Sequence, residues 1–372
     1  MLPGWDDVSQ ENEIQIERVS GALTNCVFFV TKNTKKEKLR DNQAKNKKPL
    51  KVVLRVYGNG VDQLCDRQKE LNFLEMLSTV KIGPKLLGIF KNGRFEEHLE
   101  SVTLKSNDLR DPPISRHIAQ RMSQLHNIIN IFPPPQEEVK PEVWVNIDKW
   151  FPLALKTVFS ETFICTEEQK KELEEFNFEL LKKEVEDLKI KLFIDSPIVF
   201  AHNDTQYGNI LRLTNGQLVV VDFEYAGYNY AAFDIANHFC EWMYDYRSSD
   251  PHKMNLSAYP NDDQQINFLQ SYLDTEKYLT SDPTIDNANF SSPPSLTHDN
   301  SLQKLKSDVY AFTLASHVMW GLWGLVQSGQ SQIDFDYLSY GLERLKHFRN
   351  LKNEVYEYLS FLNQESSSTL DQ

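Results

Sequence analysis

Three oxygen-bearing side chains near the middle of the chain are spaced for phosphoryl transfer. His202-Asn203-Asp204 is followed by Asn209, five residues after the aspartate, and then by Asp222-Phe223-Glu224 at the end of an apolar run. The order H-x-D-x-x-x-x-N, then D-F-x, is a catalytic motif with a mechanical basis. Asp204 would orient or deprotonate an attacking hydroxyl. Asn209 and Asp222 would hold magnesium against the phosphates of a nucleotide. His202 reads as a residue that packs and hydrogen-bonds within the loop. A lone D-F-x would mean little, because aspartates are common in turns. The combination carries the reading.

The flanking pattern can bring these groups together. Ile198-Val199-Phe200-Ala201 is an apolar strand ending at His202. Residues 210–213 and 218–221 read as a hairpin around Thr214-Asn215-Gly216. Asn209 then starts one strand and Asp222 follows the other, so both would reach the same end, near Asp204. Magnesium prefers oxygen ligands and keeps several waters, which suits such a donor set.

Upstream, 14–19 and 26–31 read as strands around Ser20-Gly21-Ala22-Leu23-Thr24-Asn25. That turn, with Thr24 and Asn25, would lie over the phosphates. Residues 52–57 are a strand, and 64–77 have helical spacing with Leu64, Leu71, Leu74 and Leu77 near one face. Strands at 85–90 and 94–99 join at Asn92-Gly93. Protein kinases carry a strand lysine and a helix acid for the phosphates. Here Arg55 takes the strand position, where its planar guanidinium can grip phosphate oxygens in a bidentate way. Glu70 is the expected partner on the helix. Strands, one helix and a hairpin resemble the small lobe of a kinase-like fold.

After Asp111-Pro112-Pro113 the pattern turns helical, over 114–129, over 165–192 as one long helix or a helical pair, and near 232–244, 262–272, 302–327 and 335–361. The expected architecture is α+β, a two-lobed protein-kinase-like fold. Residues 1–101 form a small β-rich ATP-binding lobe with a mobile loop at 32–51. Residues 102–363 form a larger, mostly helical lobe with the catalytic loop and substrate pocket. The loop at 280–300 and a tail at 364–372 read as disordered.

Composition narrows the partners. The 372 residues carry 53 acidic and 40 basic side chains, a formal charge of −13. Such a chain is a poor candidate for nucleic acid or an anionic membrane and a better one for a cationic small molecule. Cys26, Cys65, Cys165 and Cys240 lie far apart, with no zinc spacing, and read as reduced thiols of a cytoplasmic protein. The acidic start has no apolar core of a signal peptide, and no apolar run looks long enough to span a bilayer.

These residues, in this order, resemble the choline/ethanolamine kinase family. The matching segments are Val53 to Gly58, Ile82 to Leu86, Asn92 to Glu96, His202 to Asn209, Asp222 to Asn229 and Phe233 to Tyr246. The resemblance runs from about residue 10 to residue 360. Trp242-Met243-Tyr244-Asp245-Tyr246 is the choline-kinase form; ethanolamine-selective members usually lack it. The resemblance implies ATP-dependent phosphorylation of choline to phosphocholine, the first step of phosphatidylcholine synthesis, with Mg2+ and frequently a homodimer. By matching position, Glu97 and Leu99 lie at the adenine-binding hinge and Gln206 stabilises the catalytic loop. Tyr207 departs from some relatives, which carry an acidic residue there.

The family's choline cage matches Tyr225, Glu241, Tyr246, Trp320, Trp323 and Tyr340 residue by residue. A trimethylammonium group cannot donate an N–H hydrogen bond, so aromatic faces with an acid nearby hold it best. Trp320 and Trp323 sit one helical turn apart and can face the same way, although such a pair on an apolar helix is usually core. In this reading Glu241 complements the substrate's charge. An ethanolamine-preferring or dual-substrate kinase is the nearest alternative, and an aminoglycoside phosphotransferase shares the same loop logic. An inactive choline-binding scaffold is the alternative from another class.

Overall fold

Strand-forming sequence dominates residues 1–103 and helix-forming sequence the remainder, into which short strands are set. The structure is a computed structural model that describes residues 5, 8, 13–19, 26–33, 51–58, 63–134, 139–192, 196–281 and 302–370. It divides into two units, 1–103 with 211–224 and 331–333, and 104–210 with 225–330 and 334–372. In chain order the strands and helices begin with β1 (Ile14–Val19), β2 (Cys26–Lys32), β3 (Lys51–Val56), α1 (Arg67–Thr79), β4 (Leu86–Phe90), β5 (Gly93–Glu97) and β6 (Ser101–Thr103). There follow α2 (Pro112–His126), α3 (Glu142–Val158), α4 (Glu167–Glu175), α5 (Phe178–Lys191), β7 (Ile198–Ala201), β8 (Ile210–Leu213), β9 (Leu218–Val220) and β10 (Gly227–Tyr230). The chain ends with α6 (Ala231–Glu241), α7 (Asp262–Ser281), α8 (Leu302–Gln327) and α9 (Tyr337–Leu370).

In the first unit, β1 to β5 form an antiparallel sheet in the order β1-β2-β3-β5-β4. Successive side chains of a strand point to opposite faces. One face therefore carries Val52, Leu54 and Phe95, packed with Trp5, Val30 and Leu87 into an apolar cluster. The other carries Arg55 of β3 and, on β5, Arg94 and Glu96, with Arg55 directly opposite Arg94. The segment 211–224 belongs to this unit, where β6 pairs with β8.

In the second unit, α8 lies among α3, α5, α6, α7 and α9. Apolar residues surround its whole circumference, and such a helix must be enclosed. By length and composition alone α8 could cross a membrane, which corrects the expectation that no apolar run reaches that length. Within the protein, 94% of its most apolar window is buried, so its apolarity is that of a core helix. Close packing of α8 on α9 depends on Gly324 and Gly341. A Cβ at Gly324 would meet the Gly341 Cα at 2.9 Å, and one at Gly341 would meet the Gly321 carbonyl oxygen at 2.7 Å.

Most expected elements are present, with instructive differences. α2 starts at Pro112 because Pro112 and Pro113 suit the first helical positions and Asp111 caps the Ile114 N–H at 3.1 Å. The 165–192 pattern is a pair, split at Phe176-Asn177, where Asn177 caps α5. α3 was not expected; it tolerates Pro152 in its interior. β6 and β10 were also missed, at three and four residues. The tail expected to be disordered from 364 is helical as far as Leu370. Most of the 32–51 and 280–300 loops, and the turn with Thr24 and Asn25, lie outside the described residues.

Substituting Gly324→Val should force α8 and α9 apart and destabilise the protein by about 1–3 kcal/mol. The urea unfolding midpoint reads this; an unchanged midpoint would mean the two helices are not in the contact described.

Candidate active site

The catalytic loop is built on a buried carboxylate that carries no signature of its own. Asp234, on α6, accepts the backbone N–H groups of His202 and Asn203, each at 2.8 Å. Nε2 of His126 lies 2.9 Å from Asp234 Oδ2, and its Nδ1 lies 2.8 Å from the Tyr272 hydroxyl. Burial opposes the charge of Asp234, but His126 and the His202 N–H outweigh it and hold the carboxyl below its usual range. The anchor lets Asn203 adopt φ 66°, a left-handed conformation that asparagine tolerates. Asn203 then donates to the Tyr225 carbonyl at 2.9 Å and accepts from Asn229 at 2.7 Å.

Asp204 follows, half-buried, with its N–H donated to His202 Nδ1 at 3.2 Å. His202 therefore serves the loop's geometry. Asn209 donates its amide nitrogen to the Asp204 carbonyl at 2.9 Å and to Asp204 Oδ2 at 2.8 Å. Both bonds use the nitrogen, which turns the amide oxygen into the atom offered to a hard cation. Gln206 closes the loop from inside, its Oε1 accepting the Gly208 N–H at 2.7 Å. Tyr207 is buried, stacks on Tyr246 at 5.9 Å between centroids and donates to Asp245 at 3.4 Å.

In the first unit, Arg55 Nη1 binds Asp222 Oδ2 at 2.9 Å, and its Nε lies 3.2 Å from Glu96 Oε1. Glu96 also takes Arg94 at 2.6 Å; Arg94 reaches Glu70 at 2.8 Å; Glu70 takes Arg67 at 3.0 Å; and Arg67 lies 3.6 Å from Glu224. The chain of alternating charges thus leaves Asp222 and returns two residues later at Glu224. The expected Arg55–Glu70 pair is replaced. Arg55 faces Arg94 across the strands, and like charges so placed repel unless a carboxylate is shared between them. Glu96 supplies it, being one strand repeat from Arg94 on the same face. Burial opposes the Glu96 charge, yet Arg55 and Arg94 hold its carboxyl below the usual range. Asp222 has φ 72°, uncommon outside glycine and frequent at functional sites. Glu97 ends β5, where its N–H donates to the Lys85 carbonyl at 2.8 Å, and Leu99 follows in the loop before β6.

The second unit gathers the aromatic residues. Tyr225 and Trp320 are 5.1 Å apart, Trp320 and Trp323 5.4 Å, and Trp323 and Tyr340 6.0 Å, by ring centroids. Trp323 Nε1 donates to the Tyr225 hydroxyl at 2.7 Å. Tyr244 and Tyr246 stack at 5.8 Å, and Tyr244 lies 5.1 Å from Tyr340. Phe335, which the sequence did not single out, joins the wall 5.7 Å from Tyr340 and 6.2 Å from Tyr246. Glu241 is held by Arg344 at 2.5 Å and by the Tyr246 hydroxyl at 2.6 Å. Its carboxylate is thus already engaged by a cation of the protein itself.

Among the described residues, no three His, Cys, Asp or Glu side chains are arranged to hold a metal ion by themselves. A magnesium ion that accompanies a nucleotide needs no such cage, because phosphates and waters complete its shell. By donor type, the Asn209 oxygen of the second unit and the Asp222 carboxylate of the first each suit that chemistry.

An antiparallel sheet with one helix and a larger helical unit carrying an H-x-D-x-x-x-x-N loop define an α+β, protein-kinase-like phosphotransferase fold. The family model described as choline/ethanolamine kinase matches residues 16–349. A probable choline kinase 2 of Arabidopsis thaliana is 35% identical, covering 92% of this chain and 87% of its own length. A probable ethanolamine kinase of the same plant is 30% identical over 95% and 83%. The crystal structure of a choline kinase from Cryptosporidium parvum has a TM-score of 0.71 at 27% identity, over 98% and 96% of the two chains. This chain belongs to the choline/ethanolamine kinase family.

Behind the loop, His238 donates from Nδ1 to the Thr205 carbonyl oxygen at 2.7 Å and accepts at Nε2 from Trp242 Nε1 at 3.2 Å. Nε2 must be the acceptor, so Nδ1 carries the proton. Burial drives its pKa down to about 4, against the pull of Thr205 and Asp234. The unfolded chain, with a value near 6.5, binds a proton that the folded protein refuses. Stability from this group is therefore full above about pH 6.5 and falls as pH drops toward 4. Between about pH 7.5 and pH 5 the loss should be about 2 kcal/mol. Urea midpoints of wild type and His238→Gln at both values check it; the substituted protein should lose less, and parallel losses would refute the assignment.

Proposed function

We propose that this protein transfers the γ-phosphoryl group of ATP to the hydroxyl of choline, giving phosphocholine as the opening step of phosphatidylcholine synthesis. The observation that carries the choice of substrate is the continuous wall of Tyr225, Trp320, Trp323 and Tyr340, bordered by Tyr246 and Glu241. An onium ion over such rings gains about 0.5–2 kcal/mol per contact, most when desolvated. A polycationic sugar would call for a broad acidic groove instead.

In this reading Asp204, oriented by Asn209, accepts the hydroxyl proton. Arg55, steadied by Glu96, binds phosphate oxygens in place of the Asp222 carboxylate it now holds. Glu70 acts at one remove, through Arg94. Glu97 and Leu99 meet the adenine, and Gln206 keeps the loop closed beside Asp204. Asn209 and Asp222 would ligate magnesium, which when bound offsets the charge of the phosphates. Positioning and electrostatics supply most of the rate. Ethanolamine is the second reading, favoured by the relative of that name.

ADP release with choline and with ethanolamine tests the proposal, and the larger kcat/KM should belong to choline. Asp204→Ala and Asp222→Ala should each lower kcat by about a hundredfold or more; Asp204→Ala should leave the unfolding midpoint unchanged, whereas Asp222→Ala, which strips the buried Arg55 of a partner, should also lower it. Trp323→Ala should raise KM for choline and spare KM for ATP. Full activity in either aspartate variant, or a Trp323 effect confined to ATP, would overturn the corresponding roles.

A further inference from the structure

Both oxygens of Glu241 are engaged, and that bears on which amino alcohol the wall accepts. Arg344 Nη2 donates to Oε1 and the Tyr246 hydroxyl to Oε2, in a site where Arg344 is 0% and Glu241 2% exposed. The guanidinium carbon lies 4.6 Å from the Tyr244 ring centroid and 5.2 Å from that of Tyr340. Burial works against its charge, but Tyr244, Tyr340 and Glu241 outweigh that and keep Arg344 a cation. Among the described residues, its Nε and Nη1 find no hydrogen-bond partner. The single N–H on Glu241 is therefore the contact that ties the guanidinium to the carboxylate.

We infer that Arg344 is a specificity-determining residue: with Tyr246 it takes one acceptor position on each Glu241 oxygen and draws off its charge, weakening the carboxylate as an acceptor, and so disfavours substrates whose ammonium carries N–H groups. This rests on the reading that an amino alcohol occupies the aromatic wall. Ethanolamine and choline carry the same charge, so the net field of the Glu241–Arg344 pair cannot tell them apart. They differ in hydrogen-bond donors. A trimethylammonium group has none and loses nothing when the carboxylate is taken. A primary ammonium has three, and a desolvated donor left without an acceptor is costly. Arg344, one turn beyond Tyr340 on α9, thus converts an acidic site from one that rewards N–H donors into one that rewards methyl groups.

The test uses the full-length protein and four substrates, choline, N,N-dimethylethanolamine, N-methylethanolamine and ethanolamine, which carry zero, one, two and three N–H groups at equal charge. Their kcat/KM values, each relative to choline, are measured for wild type, Arg344→Gln, Arg344→Lys and Tyr246→Phe. Arg344→Gln and Tyr246→Phe should raise ethanolamine relative to choline on the order of tenfold, the size of one charge-assisted hydrogen bond. The partly methylated amines should fall between in order of N–H number, KM for ATP should not move, and Arg344→Lys should restore part of the wild-type pattern. Should Arg344→Gln fail to fold, Tyr246→Phe, which removes a single hydroxyl, decides alone. If the substitutions move all four substrates by one factor, the Arg344 assignment falls while the choline reading stands. If the wild-type protein phosphorylates none of the four, both fall.

Discussion

The second unit depends on one buried carboxylate, Asp234. Three groups converge on it, two backbone N–H groups of the catalytic loop and the ring of His126. A buried charge is tolerated only when its lone pairs are filled, and here the filling is what shapes the loop. Because the His202 and Asn203 N–H groups point at α6, Asn203 takes a left-handed conformation that presents Asp204 on the far side. The Asn203 side chain then grips the Tyr225 carbonyl, while Asn237 on α6 donates to the Asn203 carbonyl at 3.0 Å. The loop and the first residue of the aromatic wall are thereby referred to the same helix.

The first unit solves a different electrostatic problem. Two arginines face each other across neighbouring strands, and both are almost wholly buried. Placing Glu96 between them, and Glu70 beyond Arg94, turns a repulsion into an alternating ring. Such buried networks are worth little net stability, since desolvation consumes most of the attraction, but they are intolerant of a missing member. What the ring provides is direction. Arg55 is gripped at Nε by Glu96, which leaves its Nη1 aimed at Asp222.

Much of this was legible in the sequence, and the reasons for the rest are physical. The catalytic motif, the strands around it and the helical second half follow from short-range spacing, which local periodicity encodes well. Tertiary partnerships do not. Glu70 was expected to hold Arg55 because the two lie on successive elements, but the sheet register sets Arg94 and Glu96 between them. Nothing in their own neighbourhood shows what Asp234 and Arg344 bind: the partners of Asp234 lie 31, 32 and 108 residues away and that of Arg344 lies 103 away. The sequence reading passed over α3, although Val143, Ile147, Trp150, Ala154 and Val158 recur at helical spacing along its buried face. Glu241 was read by charge type alone, which cannot reveal that a cation on another helix is already bound to it.

The apolar girth of α8 also matters before the protein is folded. Residues 302–327 rely on five other helices for cover, and four of these, α3, α5, α6 and α7, are made earlier while α9 is made after it. Until α9 closes over the glycine seam, the nascent chain shows water a long oily segment of the kind that chaperones capture and that self-associates when left alone. Heat that stripped α9 away would recreate the same surface, and aggregation from that state would turn thermal loss into a matter of rate.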